Sequence, residues 1–406
     1  MARSRNLSPL DESIQTDGRG WSEVPFPQAL SRDGFTVGKV QLTEYRQVGR
    51  FPIIDQGQQQ VAGYWDNEGD VYQGPLPVVI FGDHTRAVKF VREPFVCGAD
   101  GTKVLVPDRE LFDPEFFFYA LMNVDLPSRG YNRHFALLRG VTLPCPPLQE
   151  QRAIASVLRA VQQASDTAER VIASTRKLKR SLMRHLLSRG PVRDGDVRVR
   201  RSVPTEAALP EHWQTTSLGA IATIVMGQSP PGDAYNVKEV GVPLVTGPED
   251  YGPISPHPNK WTSTVTRTCE GGDILFCVRG NTLGKLNLAD RTYCIGRGVA
   301  AIRARAGTSD SSYLYFWLQA EAERFLEMSR GGGSTFPNIN KRELEEWNVV
   351  LPPLDEQRTS ALILQALERK LVAERDRATA LARVFDGFLT ELTTGKRRVA
   401  QTAGGS

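Results

Sequence analysis

The seven residues Pro146-Pro147-Leu148-Gln149-Glu150-Gln151-Arg152 return as Pro352-Pro353-Leu354-Asp355-Glu356-Gln357-Arg358, identical at six of seven positions and 206 residues further on. A repeat constrains a chain more than any local propensity, because two copies of one segment must find equivalent folds. The match does not stand alone. Ser128-Arg129-Gly130 with Phe135 returns as Ser329-Arg330-Gly331 with Phe336, at an offset of 201. Cys97 with Gly101 returns as Cys294 with Gly298, at 197. Asp113 followed by Phe116, Phe117, Phe118 and Tyr119 returns at the same 197 as Asp310 followed by Tyr313, Leu314, Tyr315 and Phe316. The matches are collinear and their offsets drift slowly, as two diverged copies with small insertions require.

The segment after each PPLxEQR predicts a long helix. Ile154, Leu158, Val161, Ser165, Ala168, Ile172, Thr175, Leu178, Leu182 and Leu186 are spaced three and four apart, the seam of a helix that packs on another helix. Leu364, Leu367, Leu371, Ala378, Leu381, Phe385, Phe388 and Leu392 keep the same rhythm. Two prolines precede each helix, Asp355 is the expected N-cap of the second, and Gly190-Pro191 and Gly395 are the expected stops. Each helix of about 40 residues would reach roughly 60 Å. If both copies fold alike, the economical arrangement pairs the two rods; two amphipathic helices each packed on its own domain are the alternative.

Residues 20–145 and 208–345 are rich in Gly, Val, Ile and Thr, with alternating runs at Leu76 to Phe81, Lys103 to Val106 and Asp273 to Val278. These predict strands of mixed α/β or mostly β domains, with helices in the aromatic segments after Asp113 and Asp310. The map that follows is an N-terminal tail 1–19, a globular domain 20–145, a long helix 146–192, a linker 193–207, a second globular domain 208–345, a second long helix 346–399 and a disordered tail 400–406.

Several classes of function are excluded. The start MARSRNLSPLDESIQ lacks the apolar stretch of a signal peptide. Apolar runs such as Ala220 to Met226, interrupted by Thr223, fall far short of the roughly 20 residues that span a bilayer. We therefore expect a cytoplasmic protein with no membrane partner. Five cysteines, odd in number and without CxxC, make neither a disulfide framework nor a zinc ribbon, and no metal site is expected. Gly284-Lys285 is followed by Leu286 and Gly395-Lys396 by Arg397, so no P-loop is present. Ser229-Pro230-Pro231 is followed by Gly232 rather than the aromatic residue of an amino-methyltransferase signature. The one Asp/Glu-x-Lys, Glu368-Arg369-Lys370, lies in a repeat helix, where a solvated face explains it better than a nuclease centre. Gly82-Asp83-His84 is an Asp-His pair in a turn, more often structural than catalytic. No catalytic residue is assigned.

Charge speaks more clearly once it is located. The total is +4, yet Arg152 to Arg201 carries 13 basic and 4 acidic residues, leaving −5 for the rest of the chain. Arg176, Lys177, Lys179, Arg180 and Arg184 lie within nine residues and suit either phosphates or an acidic protein. The globular domains add side chains suited to base edges. In the first, Gln56, Gln58, Gln59 and Gln60 share a loop, His84, Thr85, Arg86 and Lys89 another, and Asn132, Arg133 and His134 a third. In the second, the candidates are Gln228, Ser229, Arg279, Asn281, Arg297, Ser334, Thr335 and Lys341. The last group in each domain stands beside the matched phenylalanines, Phe135 and Phe336.

In this layout the chain resembles the specificity subunit of type I restriction-modification systems, from about residue 40 to 399. Phe81-Gly82-Asp83-His84-Thr85-Arg86, Val96-Cys97-Gly98-Ala99-Asp100-Gly101 and Gly130-Tyr131-Asn132-Arg133-His134-Phe135 are similar to one type of target recognition domain. Met226-Gly227-Gln228-Ser229-Pro230-Pro231, Val278-Arg279-Gly280, Tyr293-Cys294-Ile295-Gly296-Arg297-Gly298 and Gly333-Ser334-Thr335-Phe336 are similar to another. The ending Leu392-Thr393-Thr394-Gly395-Lys396 fits the family pattern; Arg189-Gly190-Pro191 departs from it, leaving the exit of the first helix in doubt.

The resemblance implies an α/β (α+β) fold with a pseudo-twofold internal repeat. Two mixed α/β target recognition domains would be joined by two long antiparallel coiled-coil spacer helices. It implies a non-catalytic subunit that reads a bipartite, asymmetric double-stranded DNA site, one half per domain, with the helices fixing the gap. The helix starts, Leu148, Glu150, Gln151, Arg152, Leu354, Glu356, Gln357 and Arg358, would dock two methylation subunits, and restriction/motor subunits would join later. S-adenosylmethionine, ATP and Mg2+ would sit on those partners, with no cofactor on this chain. The competing readings are a protein-interaction scaffold whose basic helix binds only acidic partners, and a self-sufficient nuclease or methyltransferase.

Overall fold

The computed structural model describes residues 20–33, 35, 37–99, 101–127, 133–191, 199–200, 209–330 and 337–399. The chain divides into two compact units, residues 1–169 with 376–406, and residues 170–375. Neither unit coincides with a sequence copy. Each takes one globular domain, the start of the long helix that follows it, and the end of the other long helix.

In the first unit the strand Val78–Gly82 is buried throughout, so it reads as an unbroken apolar run rather than an alternating one. It pairs antiparallel with Val88–Val91 and Thr102–Leu105. A four-stranded sheet runs Lys39–Val40, Val96–Gly98, Phe51–Ile54, Gly63–Trp65, with Cys97 opposite Ile54 in a parallel pair. Ser22–Pro25 pairs antiparallel with Thr142–Cys145, bringing the start of the domain to the root of the first long helix. Asp113 caps the helix Pro114–Met122 by accepting from Glu115 N (3.0 Å) and Phe116 N (3.1 Å). Its Phe116, Phe117 and Tyr119 are all inside the core, which is why the segment is apolar all round.

The second unit repeats this plan. Ile274–Cys277 lies between Leu286–Leu288 and Val299–Ala304, all antiparallel, and Ala222–Met226 adds an outer strand. The second sheet runs Tyr235–Asn236, Trp261–Thr262, Val242–Val245, Tyr293–Ile295, Thr268–Cys269. Cys294 sits opposite Leu244 in its parallel pair. Cys97 and Cys294 thus hold the same place in equivalent sheets, a fully buried position that admits a small side chain. All five cysteines are free. Gln214–Ser217 pairs with Asn348–Leu351 as Ser22–Pro25 pairs with Thr142–Cys145.

The long helices are Leu148–Arg189, of 42 residues, and Leu354–Thr393, of 40. The repeated sequence at their starts forms a largely buried junction. Gln151 is fully buried: its Oε1 accepts from Asp113 N at 2.7 Å while Nε2 donates to Pro146 O (2.7 Å) and Leu111 O (2.8 Å). Gln357, equally buried, accepts from Asp310 N (2.8 Å) and donates to Pro352 O (2.8 Å) and Thr308 O (3.3 Å). Glu150 accepts from Trp21 Nε1 (3.1 Å), and Glu356 from Trp213 Nε1 (2.9 Å). These four residues of the expected docking set are therefore turned inward. Leu148 and Leu354 are half-buried, and of this set Arg152 and Arg358 alone are exposed. Asp355 is not the N-cap either; it lies in the first turn of a helix that begins at Leu354.

Within each unit the two helix segments run antiparallel. In the first, Arg398 ion-pairs with Glu150 (Nε–Oε1 2.6 Å) while Phe385, Phe388 and Leu392 pack with Ile154 and Leu158. In the second, Leu186 packs on Leu364, Lys179 ion-pairs with Glu368, and Gly190 lies against Glu356 and Trp213. Both helices leave through a left-handed glycine, Gly190 at φ 81° and Gly395 at φ 68°, so the departure of Arg189-Gly190-Pro191 from the family ending leaves the exit geometry intact. One seam residue is misplaced by the spacing: Leu178 is 49% exposed.

Candidate nucleic-acid interface

The first domain builds its candidate rim on the turn that follows Val78–Gly82. Gly82 N donates to Ala87 O and Arg86 N to Gly82 O (both 2.8 Å), closing a turn in which Arg86 takes φ 61°. The Gln56 loop is laid across it: the Gln56 side chain accepts from His84 N (3.2 Å), and the Thr85 hydroxyl donates to the Gln56 carbonyl. Gly82 is required here, because a Cβ would stand 2.2 Å from Thr85 Oγ1 and 2.7 Å from Gln56 O. Arg133 to Phe135 are tied to the same turn. His134 N donates to Asp83 O and Phe135 N to Asp83 Oδ1, both at 2.8 Å. The turn thus gathers Gln56, His84, Thr85, Arg86 and Arg133 into one neighbourhood, with Gln58 exposed at the tip of its loop.

Two expected contacts are instead internal supports. Lys89 is 4% exposed, donates to Gln59 O and lies 3.5 Å from Asp55. Burial lowers its pKa from the ordinary lysine value, with the Asp55 carboxylate opposing the shift. His134 is 1% exposed, its ring Nδ1 3.0 Å from Asp83 O. Neither presents a polar atom to a base; each holds a loop that does carry exposed polar groups. Arg86, though exposed, donates from Nη1 to Leu126 O at 2.7 Å. Asn132 lies outside the described residues.

The second domain gathers its candidates from three loops. Gly227 N donates to Val299 O and Gln228 N to Ile295 O, both at 2.9 Å, while the Ser229 hydroxyl accepts from Arg297 N at 3.2 Å. A Cβ at Gly227 would stand 2.2 Å from Gly296 O, so only glycine lets the two loops meet. Val278 N donates to Gly298 O (3.0 Å) and Gly280 N to Pro337 O (2.8 Å), which brings Arg279 and Asn281 beside Arg297. Gln228, Arg279, Asn281 and Arg297 are all exposed. Lys341 opens the helix Lys341–Glu345 and pairs with Glu345 at 3.4 Å. Ser334 and Thr335 lie outside the described residues.

The two rims share two backbone bonds. Asp83 N donates to Gly101 O as Val278 N does to Gly298 O, and His134 N to Asp83 O as Ile339 N does to Val278 O. This pairing matches His134 with Ile339, an offset of 205 where the sequence match of Phe135 with Phe336 gives 201. Phe336 itself is not among the described residues. Asp83, read from the sequence as structural, positions the rim. Sequence reasoning missed Asp55, which also accepts from Gly57 N at 2.8 Å. The Asp-x-Gly spacing of the latter is the ordinary mark of such a turn. Tyr45, whose hydroxyl accepts from Ala99 N at 3.0 Å, carries no local mark. Among the described residues no group of His, Cys, Asp and Glu is placed to hold a metal ion. No helix among them is long and apolar enough to cross a membrane.

Residues 210–381 match the model of the type I restriction modification DNA specificity domain. The MjaX type I restriction enzyme specificity subunit of Methanocaldococcus jannaschii is 29% identical over 308 residues, which are 73% of this chain and 71% of that one. The solved type I restriction-modification S subunit from M. genitalium shares the fold with a TM-score of 0.65 at 17% identity, covering 95% of this chain and 98% of that one. A chain from a structural study of the assembly and conformational transition of the type I R-M system gives 0.54 at 24%, covering 92% and 97%. The second domain with the start of its helix is thus similar to that domain, and the first domain repeats its scaffold. Over most of its length the chain is similar to specificity subunits of type I restriction-modification systems.

Proposed function

We propose that each globular domain reads one half of a bipartite, asymmetric double-stranded DNA site. The observation that carries this reading is one scaffold written twice with different exposed side chains on its rims. Gln58, Arg86 and Arg133 occupy the first rim, and Gln228, Arg279, Asn281 and Arg297 the second. Equivalent backbones with unlike polar groups suit two unlike half-sites, since side chains on base edges set sequence while the fold sets register. The long helices act as a coiled-coil spacer that fixes the gap, with half-sites roughly one helical turn apart. Arg152 and Arg358, the exposed members of the repeated helix starts, are part of the surface that docks two methylation subunits. Adenine methylation and restriction are carried out by those subunits and by restriction/motor subunits, which hold S-adenosylmethionine, ATP and Mg2+. This chain supplies address rather than chemistry, in the cytoplasm.

Methylome sequencing of a host that carries the intact system tests this reading. Exchanging residues 208–345 for the equivalent segment of another specificity subunit is expected to change one half-site and spare the other. Lengthening both helices is expected to change only the gap. A swap that leaves the methylated sequence unaltered overturns the assignment of reading to the domains.

A further inference from the structure

The stretch 170–189 of the first long helix has seven Lys or Arg residues and no Asp or Glu. Burial sorts them. Lys179 is turned in, bonded to Gln319 Oε1 (2.8 Å) and Glu368, with its ammonium over the Phe316 ring. Arg176, Lys177, Arg180 and Arg184 are exposed, and no carboxylate of the described residues stands within ion-pairing distance of them. At one hundred degrees per residue these four fall within about a quarter of the helix circumference. They point away from the face that buries Ile172, Thr175 and Leu186. An ordinary solvated helix face intersperses acids with bases; this one does not.

The second copy lacks the feature. The positions 206 residues on are Ala382, Arg383, Asp386 and Thr390. A surface used identically by two identical partners would be kept in both copies. We infer that Arg176, Lys177, Arg180 and Arg184 form a strip that binds the sugar-phosphate backbone of double-stranded DNA without regard to sequence. The inference rests on the DNA-reading function proposed above and adds to it an anchor outside the base-reading rims. Charge complementarity selects the occupant: four unpaired cations at a spacing of one turn match a regular polyanion. Phosphate needs no fixed fork geometry, so Arg and Lys serve alike.

The test uses the specificity subunit assembled with its methylation subunits. It compares wild type with the combined Arg176→Gln, Lys177→Gln, Arg180→Gln and Arg184→Gln variant. Binding is measured from 50 to 200 mM salt on DNA bearing the recognised site and on a scrambled duplex. At roughly 0.9 logarithmic unit of salt slope per phosphate, four contacts predict that this rise weakens wild type about 100-fold more than the variant. The change should be equal on both duplexes, with discrimination between them kept. A second variant carrying Lys at all four positions is expected to keep the wild-type slope, which separates charge from damage to the helix. An unchanged slope in the Gln variant overturns the strip. So does an unchanged slope accompanied by loss of a methylation subunit, which would assign the face to an acidic protein. Failure of wild type to discriminate the two duplexes would strike the DNA-reading function instead, and is visible separately.

Discussion

Replacing Gln151 by Met removes two polar arms from the root of the first long helix while keeping nearly the same volume. Asp113 N and Pro146 O have no other partner among the described residues, whereas Leu111 O keeps the Cys145 thiol at 3.3 Å. Each buried group left unmade costs about 1–3 kcal/mol, so two of them, offset in part by the apolar gain, cost about 3 kcal/mol. The loss falls on the junction between the helix Pro114–Met122 and the long helix, where it lowers the free energy of local opening. Hydrogen exchange read by mass spectrometry on the full chain in its complex is the direct assay. Protection of the segment 111–122 is expected to fall on the order of 100-fold, at about 1.4 kcal/mol per tenfold. Segment 308–318 should be unaffected. The Gln357→Met variant should reverse the pattern. Unchanged protection at 111–122, or equal loss in both segments, would refute the view that each glutamine clamps its own domain to its own helix.

Other outcomes follow from the same contacts. Gly190→Ala and Gly395→Ala each place a Cβ at positive φ, 3.0 Å from Trp213 and Glu356 in the first case and 3.1 Å from Trp21 in the second. Each should lower stability by about 1–2 kcal/mol or more, measured as a fall in the melting temperature of the complex. Lys89→Met should leave assembly intact but loosen the Gln56 to Gln60 loop, reducing discrimination at one half-site in a methylation assay while sparing the other. Burial pushes the Cys145 thiol up to about 11, the Gln151 amide opposing the shift. Alkylation of native Cys145 should therefore stay slow through pH 8 and accelerate only as the pH approaches 11, whereas a rate that levels off near pH 9 would contradict the burial seen here.

The repeat made the long helices and their starts legible, because a seven-residue identity is a stronger signal than any propensity. It also located Cys97 and Cys294, whose equivalence becomes a matched pair of parallel strands. What it did not disclose is direction of facing. Glu150, Gln151, Glu356 and Gln357 look like surface residues in a list, and only their distant partners Trp21, Asp113, Trp213 and Asp310 reveal that they are inside. Lys89 was misjudged for the same reason: its acid, Asp55, lies 34 residues away, just past the end of the strand Phe51–Ile54. The spacing of three and four also carried Leu178 into the seam, although its neighbour Lys179 takes the inward place by pairing with Glu368. Periodicity ranks faces by average character, whereas a single ion pair decides an individual residue.

The composition of the two units has a consequence for how the protein is made. Residues 170–375 form one continuous stretch, so that unit has all its parts once the ribosome passes position 375. The other unit waits. Its domain leaves the ribosome before the second one, yet Trp21 and Glu150 receive Gly395 and Arg398 only after residues 170–375 have been translated. A prematurely terminated product would therefore carry an intact-looking first domain whose helix root is uncapped and whose buried Glu150 has lost its cation. Residues made after the second unit thus act as a seal on residues made before it.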